Sequence, residues 1–474
     1  MVPEETTRHS FGSHSHMKIA FKPVMLALLL AGCAAGPAYH KPEIAAPAYK
    51  EAGDWKIAEP QDMHGNWYEI YQDAALNALV AQIEISNQNV LAAAAQYRQA
   101  QALLGIAQAS DRPTLNADLS ASRAQGVSTN GTATGAVHNT LRPSVSASWE
   151  ADVWGRIGRN TEANAAQAQA SNADLQAARL SAQGMLVQSY IQLRANDAQQ
   201  QLLAQTISAY ERSLQITRNR YVAGVAGKVD VAQAETQLKS TQAQRIELGV
   251  ARAQLEHAIA VLVGQAPANF KLKVANGLPA LPKLSSALAS TLLERRPDIA
   301  AAERRMAAAN AQIGVAQAAY YPALTFNGSG GYQNASLAQL FSLPSRFWSL
   351  GADLALNLYD GGARSAQKEA AIALYDKSVA SYRQTVLAGF QEVEDNLAAL
   401  HQLEAEALVQ QTAEKSAAEA LTLTENQYQA GMVSYLNVVS AQAAALAAQR
   451  SSLDIESRRL LASAALLRAL GGNW

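Results

Sequence analysis

The sequence is poor in charge, in aromatic side chains and in cysteine. Of its 474 residues, 16% are charged and 6% are aromatic, and the net charge is −1. A nearly neutral chain without a run of basic residues and interleaved aromatics offers no nucleic-acid surface. The single cysteine, Cys33, excludes an intramolecular disulfide framework and a cysteine-cluster metal site. Ala, Gln, Leu and Ser dominate instead, which favours helices that pack closely through small side chains.

The chain also lacks a long apolar run after Cys33, where no stretch reaches the roughly 18 residues of a membrane-spanning helix. The N-terminus has the pattern of a signal peptide. Met17 opens a short basic segment, an apolar run covers residues 24–31, and Leu30-Ala31-Gly32-Cys33 follows. This tetrapeptide resembles the bacterial lipobox, which implies a covalent lipid on Cys33; the alternative is a free cysteine in an ordinary signal peptide. Ala34 is not the Asp that would, by the same resemblance, retain a lipoprotein in the inner membrane.

An internal duplication organises the rest of the chain, at an offset of about 207 residues. Gly105–Ala109 matches Gly314–Ala318, and Tyr221–Gly224 matches Tyr428–Gly431. We therefore divide the chain into an upstream extension with a signal peptide, a lipidated extended segment, a first helix–strand–strand–helix–helix repeat, a Pro-rich crossover and a second repeat. Their bounds are 1–32, 33–75, 76–264, 265–296 and 297–474.

Four segments alternate apolar and polar residues with period two, and each is about ten residues long. They cover 114–122, 141–153, 324–333 and 348–358. This length and pattern predict tilted transmembrane β-strands, although one buried face of a soluble sandwich would alternate in the same way. Polar loops are expected over 125–140 and 334–345. The strand ends carry aromatic residues suited to an interfacial girdle, namely Trp154, Tyr320, Tyr321, Phe347, Trp348 and Tyr359.

Four strands cannot close a barrel, and unpaired backbone groups at a sheet edge are not tolerated in lipid. Several chains must therefore pool their strands. Two chains would supply eight strands and three would supply twelve, and both numbers are physically allowed.

Two proline-free stretches, 156–222 and 362–429, predict helices on the order of 100 Å long. A heptad rhythm through Leu203, Ile207, Tyr210, Leu214, Thr217 and Tyr221 indicates coiled-coil packing. Gly224 and Gly431 are expected to end the long helices in a left-handed conformation. Return helices are expected from about Asp230 and Asn437, with these two residues as N-caps. The alternative is a plain coiled-coil stalk, which would not need the strands.

Several motifs occur in a fixed order along the mature chain. They are Gly36-Pro37-Ala38-Tyr39-His40-Lys41-Pro42, Trp149-Glu150-Ala151-Asp152-Val153-Trp154-Gly155-Arg156, Arg296-Pro297-Asp298-Ile299, Tyr359-Asp360-Gly361-Gly362 and the two Tyr-x-Ala-Gly turns. Together with the duplication they resemble the TolC-like outer-membrane factors of tripartite efflux pumps, specifically their NodT-like lipoprotein branch. The resemblance implies a mixed α and β fold in which a homotrimer forms a 12-stranded transmembrane β-barrel continuous with an α-barrel of long coiled-coil helices.

The resemblance also implies a function and partners. The chain would be a passive, non-enzymatic exit duct for small molecules, lipid-anchored in the outer membrane and extending into the periplasm. A periplasmic membrane-fusion adaptor and an inner-membrane transporter of the resistance-nodulation-division class would dock to it. No cofactor is implied beyond the lipid on Cys33. Two alternatives remain open, a type I protein-secretion duct of the same fold and a non-conducting envelope tether with coiled-coil stalks.

The periplasmic gate implied by the family maps onto Tyr221, Gly224, Asp230, Tyr428, Gly431, Leu436, Asn437 and Ser440. Asn437 and Ser440 are neutral, so the strong acidic ring of some relatives is not expected here. Alternatively, Asp230 and Asn437 are only helix caps and the two tyrosines only pack. Asp118, Glu150, Asp152 and Asp353 would face the pore, either to attract cations or as solvated wall charges. The histidines have no ligand spacing, and neither a metal site nor a catalytic group is expected.

Overall fold

The computed structural model describes residues 35–42, 49–52, 66–125, 137–275, 277–282 and 296–472. The signal peptide and Cys33 lie outside the described residues, as do residue 276 and residues 283–295 of the Pro-rich crossover. The chain forms two compact units. The first comprises Met1–His40, Gln101–Ala166 and Met306–Lys377, and the second comprises Lys41–Ala100, Gln167–Arg305 and Ser378–Trp474.

Seven helices longer than ten residues occur in the described part of the chain. They are α1 (Ala74–Ser86), α2 (Gln88–Ala109), α3 (Arg156–Val222), α4 (Lys228–Leu262), α5 (Pro297–Ala318), α6 (Ala363–Gln429) and α7 (Tyr435–Ala469). The two predicted long helices are confirmed at 67 residues each. The second begins one residue later than predicted, because Gly362 has φ +92° and stands outside the helix. None of the described helices is long and apolar enough to cross a membrane.

The first unit contains one antiparallel sheet of four strands in the order β1-β2-β3-β4. The strands are β1 (Thr114–Gln125), β2 (Val137–Ala151), β3 (Ala323–Tyr332) and β4 (Arg346–Ala355). All four predicted strands exist, but their bounds needed correction. Residues 137–140 and Gln125, expected in a loop, extend the β1–β2 pair, while 356–358 lie beyond β4 because β3 offers no partner there. The expected loop 334–345 contains short 3-10 turns at Leu337–Gln339 and Leu343–Ser345.

The second unit has a helical core in which Trp67, Leu76, Tyr190, Ile259 and Leu460 pack together. The predicted heptad is buried from Leu203 through Thr217, whereas its last member, Tyr221, is 46% exposed. Tyr71 lies in the same core and pairs its hydroxyl with the Ser463 hydroxyl at 2.8 Å. Burial raises the pKa of Tyr71 to about 12.

A buried ionic cluster joins α3 and α4 to the described start of the crossover. Asp197 is fully buried and accepts from Arg252 at 2.7 Å and from Arg194 at 3.2 Å. The two guanidinium groups also donate to the backbone carbonyls of Leu272 and Lys273, each at 2.9 Å. The buried Asp197 carboxylate holds both arginines in place, because a buried charge needs its partners. The arginines in turn fix the path of the crossover through their hydrogen bonds to its carbonyls.

Candidate functional site

The strand register places one apolar and one polar face on the sheet. Ala147 pairs with Leu115 and with Gly328, which in turn pairs with Leu350, so an apolar row crosses all four strands. The next row joins Ser146, Ser329 and Ser349, and its last two hydroxyls lie 2.8 Å apart. The predicted alternation is therefore in phase across the sheet. A register shift of one residue would instead move all the apolar side chains of a strand to the polar face. One face suits lipid and the other suits water.

Glycines in β3 leave room for large β4 side chains on the apolar face. A Cβ added at Gly328 would lie 3.1 Å from the Leu350 side chain, and one at Gly330 would lie 3.9 Å from Cβ of Trp348. The large β4 side chains therefore lean over the β3 glycines. Trp348 and Leu350 are 72% and 80% exposed, which is extensive apolar exposure for residues in a regular sheet.

Both edges of the sheet are unpaired. β1 is exposed along its whole length, and β4 is exposed at every residue except Phe347. Because β1 and β4 are the end members of the strand order, the described chain leaves two rows of backbone hydrogen-bonding groups without strand partners.

Each strand-to-helix junction is capped by an aspartate. Asp152 accepts from the backbone N–H groups of Ile157 at 3.0 Å and Gly158 at 2.6 Å, at the start of α3. Asp360 accepts from Gly362 at 3.0 Å, and its hydrogen bond with the Arg364 side chain lowers the pKa of its carboxyl. The interpretation of Asp152 as a wall charge therefore needs correction, because its carboxylate satisfies the open N–H groups of a helix start.

Glu150 and Asp353 have protein partners too, whereas Asp118 has none among the described residues. Glu150 forms a two-point ion pair with Arg156, at 2.7 and 3.1 Å. Asp353 accepts from the Asn327 amide at 2.6 Å, on the polar face. These contacts favour a structural role for both carboxylates.

Two aromatic residues of the predicted girdle stack at the junction, whereas Phe347 lies on the polar face of the sheet. Trp154 stacks on Tyr321 with ring centroids 4.8 Å apart and donates from its indole to the Pro322 carbonyl at 2.8 Å. Phe347 pairs with Gly331 in the polar set of positions, and the Arg142 guanidinium lies 4.5 Å from its ring centroid. Phe347 therefore faces away from the apolar side, because strand side chains alternate.

The first described residues after Cys33 form a strap against this junction. The Ala35 N–H donates to the Trp154 carbonyl at 3.1 Å, and Arg159 donates to the Ala35 carbonyl at 3.1 Å. Gly36 has φ +98°, and a Cβ there would lie 2.4 Å from Cα of Gly314. The strap therefore crosses α5 at a point where each of the two segments has a glycine. Sequence reasoning missed this crossing, because the two glycines are far apart in the sequence and no local pattern pairs them.

The helix turns predicted at Gly224 and Gly431 are confirmed, with φ of +72° and +80°. In each turn the glycine N–H donates to a tyrosine carbonyl, Tyr221 or Tyr428, at 3.0 Å. The next N–H returns to the carbonyl of the residue before that tyrosine, at 2.9 Å, which completes a Schellman motif.

The predicted N-caps at Asp230 and Asn437 are wrong. The return helices start earlier, with Gly227 and Ser434 in extended conformation at the cap positions. Asp230 lies three residues inside the helix, from where its carboxylate accepts the Gly227 N–H at 3.1 Å. Asn437 holds the same third position and donates its backbone N–H to the Ser434 carbonyl at 3.1 Å.

The two tip tyrosines differ in environment. Tyr428 is 7% exposed, with its ring 5.3 Å from that of Tyr435 and 4.6 Å from the Arg220 guanidinium. Its hydroxyl is buried and has no hydrogen-bond partner among the described residues. Tyr221, by contrast, is 46% exposed. Sequence reasoning did not single out Arg220 and Tyr435 as partners of Tyr428. The available signal was a difference between the repeats, because the duplicated positions carry Gln427 and Lys228 instead.

Polar contacts extend this contact between the two helix turns. Tyr435 pairs its hydroxyl with that of Ser213 at 3.1 Å, and Arg220 donates to the Gln429 carbonyl at 3.2 Å. Burial raises the pKa of Tyr435. Leu436, Asn437 and Ser440 are all exposed and join none of these contacts. The tip thus brings Tyr428 and its neighbours together, whereas Leu436, Asn437 and Ser440 stay exposed and Asp230 caps its own helix.

An amphipathic sheet with open edges, joined to helices of 67 residues, defines an outer-membrane protein with a periplasmic helical part. The chain belongs to the outer membrane efflux protein family, whose profile matches residues 79–265 and 288–472. The expected family and mixed α and β fold are confirmed. The chain is an outer-membrane component of an efflux system in a Gram-negative envelope, as predicted.

Individual relatives match over nearly full length. The pyoverdine export outer membrane protein OpmQ of Pseudomonas aeruginosa is 32% identical over 94% of this chain and 95% of its own. Outer membrane protein OprJ of the same organism is 31% identical, over 95% of each chain. The solved structure of the outer-membrane channel OprN superposes with a TM-score of 0.89 at 28% identity, covering 93% of this chain and 99% of that one.

Proposed function

We propose that this chain is the gated exit duct of a tripartite efflux pump, which passively conducts small molecules through a homotrimer. The observation that carries the proposal is the sheet, with one apolar face and two unpaired edges. Such edges can lie in lipid only when other copies pair with them. Three copies would close twelve strands, the number implied by the family resemblance. A periplasmic membrane-fusion adaptor and an inner-membrane transporter of the resistance-nodulation-division class would complete the pump.

The proposal includes a lipid on Cys33. The strap that begins at Ala35 is tied to the Trp154 carbonyl, beside the stacked pair of Trp154 and Tyr321. Stacked aromatic side chains of this kind favour the membrane–water interface. A lipid two residues before Ala35 would therefore start close to the level of the membrane surface. The anchor and the barrel would then enter the same bilayer without strain on the strap.

The gate would lie at the periplasmic tip, at the eight residues named above from Tyr221 to Ser440. Within one chain, two contacts join the hairpins: Arg220 of α3 lies over the Tyr428 ring, and Ser213 of α3 pairs with the Tyr435 hydroxyl. By the internal repeat, the contact between neighbouring chains would use Tyr221, with Lys228 and Gln427 in place of Tyr435 and Arg220. With Gln427 in place of Arg220, that contact loses its cation–π partner, worth roughly 0.5–2 kcal/mol. The duct would therefore open between chains and keep each pair of hairpins together.

Single-channel recording of the purified full-length protein in planar bilayers tests the proposal. The native protein is expected to show rare, small openings. Tyr428→Ala should open more often, because it removes the buried ring that ties the two hairpins of one chain together through Arg220, so that contacts within chains weaken as well as those between chains. Tyr428→Phe is the matched control: it keeps the ring and removes only a hydroxyl without a partner, so its openings should remain rare.

Two results would count against the duct. Absence of conductance in the native protein and in Tyr428→Ala, from samples shown to be folded and trimeric, would favour the non-conducting tether. Conductance that is fully open in the native protein and unaffected by Tyr428→Ala would refute a gate at this tip while leaving the duct intact.

A further inference from the structure

The end of the sheet farthest from the long helices is basic and contains no acid. The sequence from 119 to 149 has two arginines, Arg123 and Arg142, and the sequence from 326 to 352 has one, Arg346. Neither segment contains Asp, Glu or Lys. In the described part of the chain no ion pair is formed by these three arginines. Each chain thus brings three positive charges to this end, with no carboxylate to neutralise them.

The register divides these arginines between the two faces. Arg123 pairs with Asn139 and follows Leu119 and Ala121 on the apolar face. Arg346 pairs with Tyr332, two residues before Trp348, on the same face. Arg142 lies opposite Ser120 on the polar face, over the Phe347 ring. Two of the three guanidinium groups therefore belong to the surface that faces lipid.

The same register restricts how neighbouring chains can pair. β4 has 10 residues and β1 has 12, and closure of the barrel joins β4 of one chain to β1 of the next. Antiparallel pairing of all of β4 requires Arg346 to lie opposite residue 123, 124 or 125. Apolar faces stay aligned only at 123 and 125, because a one-residue shift turns the strand over. In a barrel of twelve strands, pairing at 123 gives a strand tilt of about 35° and pairing at 125 gives about 47°. Both values are near the range of known barrels.

Arg346 must therefore lie directly opposite Arg123 of the next chain, or one diagonal step from it. Two like charges that are neighbours on one face repel each other. On the lipid side of the distal end the other outward side chains include Leu119, Tyr332 and Trp348, and none of the described ones is acidic, so they cannot compensate. An anion between the two guanidinium groups would remove the repulsion, and phosphate matches their planar fork of donors.

We propose that each seam between chains binds a phosphate group of an outer-leaflet membrane lipid through Arg123 and Arg346. This site rests on the closed oligomer proposed above. The flanking Trp348 and Tyr332 side chains would pack against the upper part of the acyl chains, where amphipathic rings are favoured. The lipid would thus bridge two chains at the one place where strand pairing is not made within a chain.

Cysteine cross-linking tests the seam by itself. Arg346→Cys combined with either Arg123→Cys or Gln125→Cys should join neighbouring chains under mild oxidation, because one of these pairs is directly opposite. Arg346→Cys with Arg142→Cys is the control, since these positions face opposite sides. If neither of the first two pairs cross-links, or the control pair cross-links equally well, the register is wrong and the site is lost with it.

Native mass spectrometry of the full-length oligomer tests the ligand, with diphosphoryl lipid A as the probe. The native protein should retain up to one lipid per seam. The double variant Arg123→Gln/Arg346→Gln should bind about tenfold more weakly or worse, because two charge-assisted interactions are lost. Arg142→Gln is the matched control on the polar face and should bind like the native protein.

Three outcomes would overturn the site: equal binding by the double variant, equal binding of dephosphorylated lipid A, or displacement of the lipid by millimolar inorganic phosphate, which would indicate a site for free phosphate. Conductance separates this inference from the proposed function. A double variant that loses lipid but still conducts supports both, and a native protein that conducts without binding lipid refutes the lipid site alone.

Discussion

The crossing of Gly36 and Gly314 allows a sharp test, because the duplication supplies a control. Gly314 lies inside α5, and an added Cβ would meet the Ala35 carbonyl oxygen and the Arg159 side chain, each at 2.9 Å. Gly105 is its counterpart inside α2, and nothing lies within 4 Å of a Cβ there. Gly→Ala has the same intrinsic effect on both helices, so the difference between the two variants isolates the strap.

The expected changes in stability have opposite signs in the two variants. Gly105→Ala should stabilise α2 by up to about 1 kcal/mol, because alanine is the better helix former. Gly314→Ala gains the same amount and loses about 1–3 kcal/mol to overpacking against the strap. It also disturbs the Arg159 hydrogen bond to Ala35, and a hydrogen bond to a charged donor contributes roughly 1.5–3 kcal/mol. Overpacking alone should therefore weaken the strap by about 1–3 kcal/mol in Gly314→Ala, and loss of the hydrogen bond would weaken it further.

Amide hydrogen exchange measures this directly, because the Ala35 N–H donates to the Trp154 carbonyl and reports release of the strap. Exchange in a peptide that covers residues 34–42 should accelerate about tenfold or more in Gly314→Ala and remain native in Gly105→Ala. Unchanged protection in Gly314→Ala would refute the tight crossing. Equal acceleration in both variants would show that helix stability, and not the strap contact, controls the exchange.

Three further predictions concern stability. Asp197→Asn should lower the free energy of unfolding by about 3–5 kcal/mol, because it leaves two arginines of the crossover cluster without the Asp197 carboxylate. The control Glu235→Gln, in an exposed ion pair, should cost under about 1 kcal/mol, and urea titration compares the two variants. The raised pKa of Tyr71 gives a contribution to stability that is fully present below pH 10 and falls by roughly 3 kcal/mol as the pH rises through about 12. Tyr71→Phe should therefore reduce the fall of the thermal midpoint over that interval. Gly224→Ala should cost about 1–2 kcal/mol at its left-handed position, with partial rescue by Gly224→Asn, read from hydrogen exchange in the turn.

Long-range periodic features were predictable from the sequence, and close contacts were not. The helix at 156–222 was predicted to the residue, because no proline interrupts it and glycine is rare in it. The caps were misplaced because Asp230 is a strong cap residue by type, but the chain enters the helix at Gly227 and lets the carboxylate reach back. The different burial of Tyr221 and Tyr428 was also not predictable, since both sit in the same local motif and only the partner residues Arg220 and Tyr435 distinguish them.

The two repeats have diverged where length is free and not where it is constrained. α3 and α6 both have 67 residues, and α4 and α7 both have 35. By contrast β1 and β2 have 12 and 15 residues, against 10 in each strand of the second repeat. An extra turn in one long helix would move its tip by about 5.4 Å and pull Tyr428 away from Arg220. The distal ends of β1 and β2 pair with each other and with no further strand of this sheet, and they carry no such requirement. Equal helix lengths are therefore what keeps two chemically different hairpins meeting at one tip.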